Sequence, residues 1–154
     1  MVGLIGFIAY KARLIKGPSI PSAMIFSFYL CFVLTMTIFD RVQSSDFHYE
    51  LDLFWSYRAI MRGSKTMVEQ NILNILMFIP IGAILPVLIK KYNWTVPPLA
   101  LSLSICIELA QLLTRTGLFE LDDIINNTLG ALIGYALYLV LAKCRERREV
   151  RAKG

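Results

Sequence analysis

Ser104, Glu108, Gln111 and Arg115 stand at steps of four, three and four, so a 3.6-residue helix carries all four on one face. Asp123, Asn127, Gly130 and Gly134 repeat that spacing on the next segment. Both sets sit in strongly apolar sequence, where an ionisable or amide side chain is costly and faces a bundle interior with a partner or a task. The carboxylates of Glu108 and Asp123 are suited to acid/base work, to holding a proton, or to accepting hydrogen bonds from a polar head group. Arg115 can bind a phosphate or carboxylate, or neutralise Glu120 or Asp122. Each residue also has a plain structural reading. Glu108 pairs with Arg115 or with amides of the last segment. Asn74 and Gln111 make interhelical hydrogen bonds, and Asp122 or Asp123 complements a helix N-terminus. Two acids in a row exceed what capping needs, which favours Asp123 as a site residue. Gly130 and Gly134 form a small-residue face suited to close helix packing.

The elements that must position these groups are membrane helices. Of the 154 residues, 56% are hydrophobic and only 18% charged, and the mean hydropathy is +0.60. Several apolar runs approach the ~20 residues that cross a bilayer. The class is an all-α integral membrane protein, a single domain over 1–154. Four spans are expected, at about 21–39, 71–89, 96–113 and 123–141, with an interfacial or partly inserted helix over 1–17. Pro80 and Pro86 should bend the second span, and Gly82 allows a close helix contact. Gly117 is the expected turn of the 114–122 loop. The three cysteines, Cys31, Cys106 and Cys144, are far apart and form no metal spacing, and no cofactor is implied.

Charge placement orients the bundle. The net charge is +5, and eleven of the sixteen Lys and Arg residues lie at Lys11–Lys16, at Lys90 and Lys91, and in the tail from Lys143 to Lys153. Basic flanks of apolar spans mark cytoplasmic loops, which is a stronger reading of the surplus than nucleic-acid binding. Both termini are then cytoplasmic. The 40–69 segment, whose charges nearly cancel, and the 114–122 loop face outward. Trp55 and its aromatic neighbours either form an interface belt or cover the site, and His48, the one histidine, reads as incidental. Asn74, Glu108, Gln111, Arg115, Asp122, Asp123 and Asn127 should then line a polar crevice in the outer leaflet, open to the outside. The inner halves of these spans are apolar apart from Ser102 and Ser104, which argues against a through-going solute pathway.

These residues carry a resemblance. Asn74 with Phe78-Ile79-Pro80-Ile81-Gly82, then Glu108 and Gln111, then Asp123, Asn127-Thr128, Gly130 and Gly134, resembles the VanZ-like family of bacterial membrane proteins, named for a teicoplanin-resistance protein. The likeness covers about 53–138, and Glu120 departs from the family's usual Asp. The resemblance implies reduced susceptibility to teicoplanin-type lipoglycopeptides, and it names no reaction. Three functions follow as expectations. The first is a non-enzymatic plasma-membrane protein binding a lipid-linked cell-wall precursor or a lipoglycopeptide among membrane lipids. The second is an intramembrane enzyme using Glu108 and Asp123 as an acid/base pair. The weakest is a transporter.

Overall fold

A computed structural model describes residues 20–39, 45–89 and 94–152. The expected helix over 1–17 and the Lys90–Lys91 turn lie outside those residues. Among the described residues, four helices are long and apolar enough to cross a membrane. Helix α1 spans Ile20–Leu34 and continues as a π-helical segment, Thr35–Phe39. After strand β1 (His48–Glu50) and the short helix α2 (Trp55–Met61) come α3 (Lys65–Ile89) and α4 (Val96–Thr114). Strand β2 (Leu118–Glu120) leads directly into α5 (Leu121–Arg151). The all-α membrane bundle is thus the observed fold.

The boundaries differ from those read in sequence for two reasons. Helix α3 begins at Lys65 rather than Asn71, because its charged first turns project beyond the apolar stretch and meet α2. Helix α5 does not stop near residue 141. At 31 residues it is about 46 Å long, against a hydrocarbon core of about 30 Å, so the basic tail as far as Arg151 is the exposed end of the last helix. Arg145 and Glu149 pair one turn apart along it.

Packing is set by α3 against α5. A Cβ at Gly82 would overlap the backbone carbonyl of Ala131, one at Gly130 that of Ile75, and one at Gly134 that of Ile79. In lipid there is little hydrophobic force between helices, so backbone-to-backbone approach through glycine supplies the contact. Pro80 and Pro86 both lie within α3, which stays helical from end to end. The buried core is Val33, Phe78, Ile81, Ala100, Ile107 and Ala131, one side of each spanning helix.

At one end of the bundle the two segments read as loops join each other. β1 pairs in parallel with β2, with His48 opposite Leu118, Tyr49 opposite Phe119 and Glu50 opposite Glu120. A two-stranded ladder is marginal alone. Here α2 and the polar contacts described next hold it down.

Candidate functional site

The site forms where α4 ends, β2 turns and α5 begins, and α2 covers it. Asp122, in the first turn of α5, is fully buried. Its carboxylate accepts the backbone N–H groups of Phe54 at 2.6 Å and Ser56 at 2.9 Å, and the Ser56 hydroxyl at 2.7 Å. It therefore caps α2 across the fold rather than its own helix. Asn71 of α3 donates to the Ser56 hydroxyl at 3.1 Å, so three helices meet at one serine. The Tyr57 hydroxyl donates to the buried Asn126 side-chain carbonyl. Phe54 holds a left-handed backbone, φ 62°, that a bulky residue seldom adopts; the hydrogen bond its backbone N–H donates to Asp122 fixes it there.

Glu108, only 2% exposed, accepts the backbone N–H of Glu120 at 3.2 Å and so ties α4 to the β2–α5 corner. Trp55 of α2 donates its indole N–H to Glu120 at 3.1 Å. Glu120 is half-buried, faces Glu50 across the strand pair and sits close to Asp123 and Asp122. Burial first, then the neighbouring Asp123 charge, pushes its carboxyl up to about 7, against the opposing Trp55 bond. Burial, with the Asp122 and Asp123 charges, likewise raises the Tyr57 phenol above its ordinary 10.

Deeper in the bundle the remaining amides cross-link helices. Asn127 donates to the Ser104 hydroxyl at 3.1 Å, joining α5 to α4. Gln111 donates to the Thr37 carbonyl at 3.1 Å. That carbonyl lies in the π-helical segment, while the Thr37 hydroxyl bonds back to Val33 at 2.8 Å.

The expected open crevice is corrected in three respects. Glu108, Gln111, Asp122 and Asn127 are all buried, but in different places: Asp122 beneath α2, Glu108 against the β2–α5 corner, and Gln111 and Asn127 bonded between helices within the bundle. Asn74 is half-buried on α3 and takes no part in the bonds above; Asn71, one turn earlier, does. Arg115 leaves the helical face altogether. It is the left-handed residue that ends α4, φ 57°, in place of the expected Gly117, and its guanidinium bonds the Ser45 carbonyl at 3.1 Å and lies 4.4 Å over the Phe47 ring. What remains half-exposed around the roof is a rim of Glu120, Asp123, Trp55 and Tyr57. Glu120, Asn71, Ser56 and Asn126 were not among the expected site residues, and Trp55 and Tyr57 were expected only as part of an interface belt or a cover. The signal available for Trp55 and Tyr57 was their aromatic character in an outward segment, whereas nothing in sequence linked Ser56 to a residue 66 positions away.

The fold and site define a helical integral membrane protein with a small extramembrane cap bonded onto the ends of its spans. The family model described as VanZ/LLP1 matches residues 26–142, about three quarters of the chain, and the protein belongs to this family. No curated protein and no solved structure matches the chain.

Proposed function

We propose that this VanZ-family protein is a non-enzymatic component of the bacterial plasma membrane, with both termini cytoplasmic and the α2 cap outside. Its acidic rim binds the polar end of a lipid-linked or glycopeptide-like ligand at the outer leaflet and confers low-level teicoplanin resistance. One observation carries the reading: Glu120 and Asp123 stand half-exposed beside Trp55 on a base whose buried polar groups are cross-bonded from α2, α3, α4 and α5. Rim side chains held in place by a cross-bonded base are the arrangement that binding requires, and it exceeds what closing a loop needs.

The test expresses wild type, Glu120→Gln, Glu108→Gln and Asn127→Ala at matched membrane levels in a susceptible Gram-positive host. Teicoplanin and vancomycin susceptibility are read side by side. Wild type protects against teicoplanin, and Glu120→Gln and Glu108→Gln lose that protection. Asn127→Ala, which removes a scaffold bond, loses part of it. Absence of protection by the wild type overturns the resistance reading.

A second reading rests on Glu120 titrating near 7, where a carboxyl serves as general acid or base at neutral pH. It makes the protein an intramembrane enzyme acting on a cell-wall lipid or peptide precursor, with Glu120 joining Glu108 and Asp123 in the acid/base role. Turnover of envelope lipids by purified protein, abolished in Glu120→Gln, would establish it. Tight binding without turnover would exclude it.

A further inference from the structure

Helix α2 is bonded to one short stretch of chain at the start of α5. Phe54 and Ser56 reach Asp122, Trp55 reaches Glu120, and Tyr57 reaches Asn126. Asn71 of α3 adds a bond to Ser56. The chain on either side of the helix is exposed, over 51–54 and 61–63. Gly63 follows the helix with φ +95°, and a Cβ there would meet nothing within 4 Å, so the backbone is free to turn at this point. The closed position also carries two local costs. Phe54 is held in its left-handed backbone, a strain that persists only while its surroundings enforce it. Asn126 is fully buried and its side-chain carbonyl takes the Tyr57 hydroxyl, but its amide nitrogen has no partner among the described residues. A buried donor without an acceptor loses its hydration uncompensated. Raising α2 relieves both: the backbone relaxes and the amide meets water.

A cluster of acids lies at the foot of the same helix. Glu120 faces Glu50 on β1, with His48 two residues back on the same side of that strand, and Asp122 and Asp123 follow it on α5. On α2 the Trp55 indole donates to it, and the Tyr57 phenol stands near Asp122 and Asp123. The neighbouring cations are engaged elsewhere. Arg58 pairs with Asp52, and Arg115 bonds the Ser45 carbonyl and covers Phe47. Glu108 of α4 holds the Glu120 backbone N–H and so ties Glu120 to the bundle. A charge on Glu120 is therefore relieved from the other side, by α2 rising and water entering.

We propose that α2 is a hinged lid, turning at Gly63, which ionisation of Glu120 releases and which uncovers Asp122, Asn126 and Asn71 when it rises. This goes beyond the ligand reading of the rim and does not rest on it. The sign follows from linkage. With the lid closed, burial and the neighbouring acids put the Glu120 carboxyl at about 7, against its ordinary 4.5, so the bound proton favours the closed state. That preference is fully present below about pH 4.5 and is lost as pH rises through about 7. With the ordinary value restored in the open state, the opening equilibrium rises about tenfold between pH 6 and pH 8. The open state stays a minority at both, since opening frees the three donors that Asp122 holds.

The test follows amide hydrogen exchange of the full chain in phosphatidylcholine nanodiscs at pH 6 and pH 8, each rate divided by the intrinsic rate at that pH. Peptides over 53–61 report the lid, and peptides over 128–138 report the bundle. In wild type, lid protection is expected to fall about tenfold from pH 6 to pH 8 while bundle protection holds. Glu120→Gln, which cannot ionise, keeps lid protection equal at the two pH values, and its bundle protection shows that it folds. Asp123→Asn lacks the acid that acts on Glu120 most strongly, so its lid protection falls only a few-fold. Equal lid protection in wild type at both pH values overturns the proposal, as does a parallel loss over 128–138, which is global unfolding. A tenfold fall that persists in Glu120→Gln assigns the response to His48 or another group and overturns it too. So does a full tenfold fall in Asp123→Asn, which would separate the response from the acid cluster.

Discussion

Asp122 and Ser56 are joined twice, through the serine's backbone N–H at 2.9 Å and its hydroxyl at 2.7 Å, across 66 residues of sequence. This pair decides the character of the site. It brings α2 down over the buried ends of α4 and α5 and converts what would be an open crevice into a roofed cluster with a half-exposed rim. Because the carboxylate also holds the Phe54 N–H, its loss strands the buried Ser56 donors and frees the entry of α2.

Asp122→Ala should therefore be severely destabilising, by about 3–5 kcal/mol, while Ser56→Ala costs about 1–2 kcal/mol, since it removes one hydroxyl and leaves the carboxylate two donors. Thermal unfolding in detergent checks both. Limited proteolysis should cut Asp122→Ala first between residues 45 and 62. A melt of Asp122→Ala matching wild type would refute the anchoring role.

Glycine substitutions should separate packing from backbone strain. Gly134→Ala places a Cβ into the Ile79 carbonyl, a contact that two backbones cannot relieve without parting α3 from α5, so monodisperse protein should not be recovered. Gly63→Ala meets no atom within 4 Å but must hold φ +95°, so it should fold with a loss of about 1–2 kcal/mol. Size-exclusion profiles distinguish the two outcomes.

The raised carboxyl of Glu120 makes stability depend on pH in a definite sense. Its native value of about 7 lies above the ordinary 4.5, so the folded state binds more protons than the unfolded one between those values. The stabilisation is fully present below about pH 4.5 and is lost as pH rises through about 7. Glu120→Gln should flatten this slope and melt higher than wild type at pH 8. Trp55 fluorescence, read in a Trp94→Phe background, should titrate with a midpoint near 7 in wild type and not in Glu120→Gln. A flat wild-type titration would exclude the assignment.

The Asn127–Ser104 bond is an interhelical tie between α5 and α4, and such ties within membranes couple by about 0.6–2 kcal/mol. A double-mutant cycle of Asn127→Ala and Ser104→Ala should return coupling in that range, with each single variant still folded. Additive losses would show that the two side chains act separately.

Much of the architecture was legible because it rests on local quantities. Span length and hydropathy identified the four membrane helices, and 3.6-residue spacing put Ser104, Glu108 and Gln111 on one face, where all three are buried. Arg115 obeyed the same spacing and still departed, because periodicity assumes that the helix continues and α4 ends in a left-handed turn at that residue. The glycine face was legible as well: Gly130 and Gly134 do pack backbone against backbone.

The sequence by itself determined the class, the spans and the level at which carboxylates and amides gather, since burial of polar groups in hydrocarbon constrains them along the chain. Only the tertiary structure decided what those groups do. Asp122 capping a helix from another part of the chain, Glu50 set opposite Glu120 by strand register, and Asn127 tied to Ser104 between α5 and α4 are relations between residues far apart or on different elements. Periodicity and composition report on neighbours along one helix. They carry no information on which distant backbone N–H a buried carboxylate will meet, because that is fixed only when α2 and the strand pair close over the ends of the bundle.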